Sequence, residues 1–241
     1  MKSAIITGAS RGIGRATALA LASETEYMSI CCRTQAEELE TVKKEIESQG
    51  CKCHTFIGDV SDYTFVSDMV QTVLSEAGQI DVLINNASIS SIGLFTDTTP
   101  EQWQNMMDIN LNSVYNACHC VVPHMIHEHA GHILNISSVW GLSGASCEVA
   151  YSATKGAVNS FTKALAKELA PSHIAVNAIA FGAIDTSMNA HLSLDERQML
   201  EDEIPYGRMA TPEEAASCVK NIINMPSYMT GEIVKFDGGW I

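Results

Sequence analysis

Ala4-Ile5-Ile6-Thr7-Gly8-Ala9-Ser10-Arg11-Gly12-Ile13-Gly14, followed at once by Arg15-Ala16-Thr17-Ala18-Leu19-Ala20-Leu21, reads as strand, tight turn and helix. The apolar run is β-branched and short, the glycines punctuate it, and the alanine- and leucine-rich stretch carries helix formers at helical spacing. Glycines at such a turn let the backbone approach a bound group closely. The first amides of the helix point outward with the positive end of the helix dipole behind them, which suits a pyrophosphate. A glycine turn in the first βα unit of an alternating chain is a far more specific sign of dinucleotide binding than the same turn elsewhere.

Outward from that unit, strand-like runs fall at 4–7, 28–32, 53–57, 82–85, 132–136, 174–179 and 233–236. Helical patterns separate them at 12–23, 35–49, 62–76, 100–127, 149–169 and 211–224. Alternation of this kind predicts an α/β protein: a single-domain, doubly wound parallel sheet of about seven strands with helices on both faces, one Rossmann-type domain over 1–241. In such a sheet the ligand lies beyond the carboxyl ends of the strands, so the loops after them should converge on one cleft. The least regular stretch, 183–207, contains the capping-box signature Ser193-Leu194-Asp195-Glu196 and ends at Pro205; it is read as a lid.

A second feature carries chemistry. In Tyr151-Ser152-Ala153-Thr154-Lys155 a phenol and an ammonium stand four apart on a helix, hence on one face. A phenol ordinarily ionises near pH 10, and a neighbouring cation favours its anion, so Tyr151 is expected to be acidified by Lys155 and to act as general acid/base.

Taken together, Thr7-Gly8-x-x-x-Gly12-x-Gly14, Asp59-Val60, Asn85-Asn86-Ala87, Asn110, Ser138, Tyr151-x-x-x-Lys155 and Gly238-Gly239 resemble the short-chain dehydrogenase/reductase family in its compact form. The resemblance implies a catalytic set of Asn110, Ser138, Tyr151 and Lys155. Ser138 would hold the carbonyl, Lys155 would also hold the nicotinamide ribose, and Asn110 would help anchor a water leading to Lys155. It implies a dinucleotide held by Gly8, Ser10, Arg11, Gly12, Ile13, Gly14, Arg33, Asp59, Val60, Asn86, Ala87, Tyr151, Lys155, Gly182, Ile184 and Thr186. Asp59 would take the adenine amino group, and Ile184 and Thr186 the carboxamide. Two positions depart from the family pattern: Ser88 stands in place of glycine, and Phe181-Gly182 in place of proline-glycine.

Cofactor choice is read at the end of the second strand, where an acidic residue would select NAD. Here Cys32 and Arg33 occupy that place, with Arg11 and Arg15 in the glycine turn, and guanidinium groups suit a 2′-phosphate. NADPH is expected, with reduction of a ketone.

In breadth the chain is most similar to 3-oxoacyl-[acyl-carrier-protein] reductases of fatty acid biosynthesis. Around Trp140 and Glu148 it looks more like reductases of the 5-aminopentanone attached to elongation factor P. Glu148 either faces the substrate and pairs with an ammonium or caps the catalytic helix, and Trp140 would pack on an alkyl chain or cation. A non-catalytic dinucleotide-binding scaffold or sensor is the reading from another class, and the complete set Asn110, Ser138, Tyr151, Lys155 argues against it.

The 241 residues carry a net charge of −14, which disfavours nucleic acid and anionic membranes. No run approaches a membrane span, and a strand begins within a few residues of Met1, so a cytoplasmic protein is expected. Eight cysteines without a Cys-x-x-Cys pair read as free thiols. The histidines 119, 124, 127, 129 and 132 lack a ligand spacing, and no metal is expected. Family likeness implies a homotetramer, with the helices bearing Asn110 and Tyr151 pairing between subunits and the Gly238-Gly239-Trp240-Ile241 end reaching a second interface.

Overall fold

The structure, a computed structural model, describes residues 1–190 and 192–241; His191, within the expected lid, lies outside the described residues. Seven parallel strands form one sheet: β1 (Ser3–Thr7), β2 (Tyr27–Cys32), β3 (Lys52–Ile57), β4 (Val82–Asn85), β5 (Gly131–Ser138), β6 (Ile174–Phe181) and β7 (Ile233–Phe236). Their order is β3-β2-β1-β4-β5-β6-β7, so the chain reverses direction across the sheet beside β1. The crevice between the β1 and β4 loops is therefore where a ligand is held in a sheet of this kind.

Strand alternation decides which helices cover which face. Ala4 and Ile6 of β1, with Met28 and Ile30 of β2, pack under α1 (Gly12–Ala22), α2 (Ala36–Ser48) and α9 (Pro212–Ile223). Ile5, Leu83 and Ile133 point the other way, to α3 (Tyr63–Ala77), α5 (Ser113–Glu128) and α7 (Val149–Leu169). Both faces are covered, which is why the central strands read as unbroken apolar runs. Across β4, β5 and α7, Asn85, Asn135 and Thr162 form a buried ladder, Asn85 Nδ2 donating to Asn135 Oδ1 at 2.8 Å and Asn135 Nδ2 to Thr162 Oγ1 at 2.9 Å.

The helix expected over 100–127 is not uniform. It runs as α4 (Pro100–Met107), a π turn over Asp108–Asn112, and then α5. The Ser113 amide reaches back five residues to Asp108 O, and Ser113 Oγ donates to Ile109 O at 2.6 Å. A π turn inserts a residue into the helical ladder, and here the residue at its centre is Asn110, turned inward. Two short or lightly patterned helices complete the chain, α6 (Trp140–Ser143) and α8 (Leu194–Glu203), the latter opened by a full capping box between Ser193 and Glu196. Among the described residues, no helix is long and apolar enough to cross a membrane.

Candidate active site

The loops after the strands enclose a cleft of about 740 Å³, within the range of cofactor and substrate sites. At one end is the glycine turn. Gly8 has φ +66°, and a side chain there would meet Ala87 Cα at 2.8 Å, so the turn sits directly on the β4 loop. Asn86 staples the two together: its Nδ2 donates to Thr7 O and to Gly8 O, each at 2.9 Å, while the Asn86 and Ala87 amides both donate to Thr7 Oγ1 at 3.0 Å. Helix α1 starts at Arg11 without a side-chain cap, leaving its first amides toward the cleft. An uncapped helix start behind a glycine cradle fits a pyrophosphate.

Most of the expected dinucleotide residues line this cleft: Gly8, Ser10, Arg11, Gly12, Ile13, Arg33, Asp59, Val60, Asn86, Ala87, Gly182, Ile184 and Thr186. Gly14 does not; it lies behind the wall, packed on Gly8 O and the Asn86 side chain. Arg15 also departs from expectation. Its guanidinium is held by Glu45 of α2 at 2.7 and 3.0 Å, and it does not reach the cleft, so the arginines that line it are Arg11 and Arg33. Asp59 Oδ1 accepts from the Ser61 amide and hydroxyl at 2.9 and 2.7 Å, and its Oδ2 lies 3.8 Å from Arg33. Thr186 Oγ1 accepts from the Met188 amide at 3.3 Å, and Ile184 O accepts from Asn189 Nδ2 at 2.8 Å.

At the other end Ser138, Tyr151 and Lys155 come together in the wall. Ser138 Oγ accepts from the Trp140 amide at 3.2 Å, and the hydroxyls of Ser138 and Ser88 favour the ionised form of the Tyr151 phenol. Lys155 is buried, its Nζ 5.6 Å from the centre of the Tyr151 ring and donating to Ile136 O at 2.8 Å. Asn110 is behind the wall at 1% exposure. Its Nδ2 donates to Ile89 O and Thr154 Oγ1 at 2.8 and 3.2 Å, and its Oδ1 accepts from the Ile89 amide at 2.8 Å.

The acidity of this group is opposite to the expected direction. Burial and the nearby Glu148 carboxylate push the Tyr151 phenol up to about 12, against the smaller opposing effect of the two serine hydroxyls. Burial in turn pushes the Lys155 ammonium down to about 8. Helical spacing gave the adjacency of the pair; it carried no information on how thoroughly the fold strips water from both. At neutral pH Tyr151 is a protonated donor.

Glu148 is the N-cap residue of α7, at the positive end of that helix; it makes no side-chain capping hydrogen bond there, and it also lines the cleft. Cys147 just before it is in the left-handed region at φ +63°, and its carbonyl accepts from the Gly93 amide at 2.9 Å, which fixes the angle of entry. Trp140 also lines the cleft, packed edge-on to Trp240 with ring centres 4.8 Å apart. Trp240 and the α8 side chains Leu200 and Glu203 are wall residues the sequence reading did not find. The only signal for Trp240 was an aromatic beside the terminal glycines.

Two of the clustered histidines have side-chain or backbone partners: His119 Nδ1 pairs with the Tyr63 hydroxyl at 2.9 Å, and His124 Nε2 accepts from the Ile80 amide at 3.2 Å. All eight cysteines are free thiols among the described residues.

Comparison with known proteins agrees with this architecture. The short chain dehydrogenase family matches residues 2–197. The chain is 37% identical over 241 residues to the 3-oxoacyl-[acyl-carrier-protein] reductase FabG of Thermotoga maritima, covering 100% of this chain and 98% of that one. It is 38% identical over 239 residues to the protein of the same name from Chlamydia muridarum, covering 99% and 96%. It is also 38% identical over 241 residues to the uncharacterized oxidoreductase YmfI of Bacillus subtilis, covering 99% and 98%. A glycine cradle at one end of the cleft, a phenol, serine and lysine at the other, and likeness along the whole length place this chain in the short-chain dehydrogenase family, oxidoreductases that bind a nicotinamide dinucleotide.

Proposed function

We propose that the protein reduces a ketone with NADPH, the ketone being a 3-oxoacyl group carried on an acyl carrier protein. The observation behind this is the protonated Tyr151 beside Ser138 and Lys155 in a cleft that begins at an uncapped helix start. Bound there, the dinucleotide supplies hydride. Ser138 donates to the substrate oxygen and fixes the carbonyl, Tyr151 gives that oxygen its proton, and Lys155 supplies positive charge beneath the phenol. A phenol near 12 is still a far stronger acid than an alcohol, whose acidity is close to that of water at about 15.7, so transfer to a forming alkoxide runs downhill. We read α8 as the lid over the substrate end; Arg197 clamps it to Asp185 with bonds of 3.0 and 2.7 Å. We also propose a cytoplasmic homotetramer, for which light scattering is the direct measurement.

Arg33, exposed at the adenosine end with Cys32 where a carboxylate would select NAD, supports NADPH. Replacing it by aspartate removes one charge-assisted bond to the 2′-phosphate and adds repulsion. Arg33→Asp is expected to lower the preference for NADPH over NADH by about 10–100-fold, measured as the ratio of dissociation constants. An unchanged ratio removes the assignment.

A second reading has its own observation. Glu148 reaches the cleft beside Tyr151, and the Trp140–Trp240 pair is close by. Carboxylate and aromatic faces are what an alkylammonium needs, and 5-aminopentanone attached to elongation factor P carries one. Both readings are tested by NADPH oxidation with an acetoacetyl thioester and with aminopentanone-bearing elongation factor P. If the ammonium is bound, Glu148→Gln is expected to raise KM for the second substrate by about 10-fold while leaving the neutral thioester within about 3-fold. Equal effects on both would tie Glu148 to Tyr151 alone. Turnover of neither substrate, with NADPH bound, would favour a sensor.

A further inference from the structure

Helix α8 supplies Leu200 and Glu203 to the cleft wall, yet none of its ten residues is buried. Its large apolar side chains do not anchor it: Leu194 and Met199 are 85% and 66% exposed. A helix of this length is marginal alone in water, so contacts outside it must hold it in place. One fixed point is the buried Ile204 at its end, whose amide donates to Glu201 O at 3.2 Å and whose carbonyl accepts from the Gly207 amide at 2.7 Å. A single fixed point leaves a helix free to swing and roll.

Arg197 is the second. Its guanidinium grips Asp185 with two prongs, Nη1 to Oδ1 at 3.0 Å and Nη2 to Oδ2 at 2.7 Å, while its Nε donates to Glu201 Oε1 at 3.1 Å one turn further along α8. A parallel fork of this kind fixes direction as well as distance. Asp185 stands on a firm base: its amide donates to Ala210 O at 2.8 Å, the Ala210 amide donates to Ala183 O at 3.1 Å, and Ile184 pairs with Ala210 as a parallel bridge. Neither Arg197 nor Asp185 lines the cleft. At about 100° per residue, the Arg197–Glu201 row of the helix stands about a quarter turn from the Leu200–Glu203 row. With the first row tied to the segment after β6, the second faces the cleft.

We infer that Arg197 is a positioning residue for substrate: by gripping Asp185 it sets the roll of α8 and so keeps Leu200 and Glu203 in the wall of the cleft. This rests on α8 being the lid over the substrate end. Arg197 is the one basic residue of α8, beside Asp195, Glu196, Glu201, Asp202 and Glu203, so no neighbour on the helix can take its place. The side chains of Arg197 and Asp185 are 40% and 46% exposed, and solvent screens the pair. A well-aligned surface pair shifts an equilibrium by a factor of about 5. That is small beside a core contact and large for a helix that has none.

The test is a double-mutant cycle of Arg197→Gln, Asp185→Asn and the two combined, read by NADPH oxidation with an acetoacetyl thioester and by hydrogen exchange of the α8 amides. Each single variant is expected to raise KM for the thioester by about 5-fold, with kcat and NADPH affinity within about 2-fold, and to speed α8 exchange by a similar factor. Combined, the two substitutions should do no more than either alone. Exchange in α9 should stay as in the wild type, which separates a loosened lid from a loosened fold. A rise in KM of about 25-fold in the combined variant would mean independent contributions and overturn the pairing. Unmoved α8 exchange in all three variants overturns it as well, and so does faster exchange with an unmoved KM, since α8 would then not wall the substrate. If the protein turns over no thioester, faster α8 exchange in the variants still supports the grip of Arg197 on Asp185, and it is the acyl reading that is removed.

Discussion

Tyr151→Phe is expected to lower kcat for ketone reduction by about 10²–10⁴-fold, the usual contribution of a positioned general acid, with NADPH affinity within about 3-fold of the wild type. The substitution is nearly isosteric. Phenylalanine keeps the ring that packs against Lys155 and loses only the hydroxyl, whose acidity Ser138 and Ser88 favour. Those serines have other partners, Trp140 N for Ser138 and Asn110 Oδ1 for Ser88, so neither is orphaned and the fold should lose about 1 kcal/mol at most. Rate and stability are thereby separated in one variant. Stopped-flow reduction, NADPH titration by fluorescence and a thermal melt together check it. Undiminished turnover with normal NADPH binding would remove Tyr151 from the chemistry, and a large loss of melting temperature would make it a core residue.

The sheet was legible because both faces are covered. Buried parallel strands show as short apolar runs, and β4 and β7 begin and end where those runs do, at Val82–Asn85 and Ile233–Phe236. Helix α7 was equally plain over Val149–Leu169. The π turn was not: Ile109 and Leu111 keep a passable helical pattern through Asp108–Asn112, and what turns Asn110 inward is Ile89, 21 positions away. The same limit applies to charge. Three arginines near one predicted phosphate looked alike until Glu45 of α2 was seen to hold Arg15. It applies again to acidity, where spacing gave the Tyr151–Lys155 neighbourhood but the dominant effect, burial, belongs to the assembled cleft. Trp240 meets Trp140 across a hundred positions, a contact no local pattern encodes. Local chemistry was readable; whatever depended on a partner from another element was not.

Gly14→Ala is expected to destabilise the protein by about 3 kcal/mol and to weaken NADPH binding at least about 10-fold, although Gly14 touches no part of the cleft. A side chain there would stand 2.3 Å from Gly8 O and 2.5 Å from Asn86 Nδ2, closer than any real contact. Gly8 cannot retreat, because it already lies against Ala87. Helix α1 must therefore move outward, straining the Asn86 bonds to Thr7 O and Gly8 O and displacing the amides that face the pyrophosphate. Overpacking costs about 1–3 kcal/mol and each weakened hydrogen bond about 0.5–1.5, which gives the figure. For a chain of this length that is a fall of about 6–12 °C in Tm. Gly50→Ala is the control: Gly50 has φ +92° with nothing within 4 Å, so only backbone strain is added and about 1 kcal/mol is expected, with NADPH binding intact. Equal losses in the two variants would mean that conformation, and not the contact of α1 with the β4 loop, holds the cradle in place.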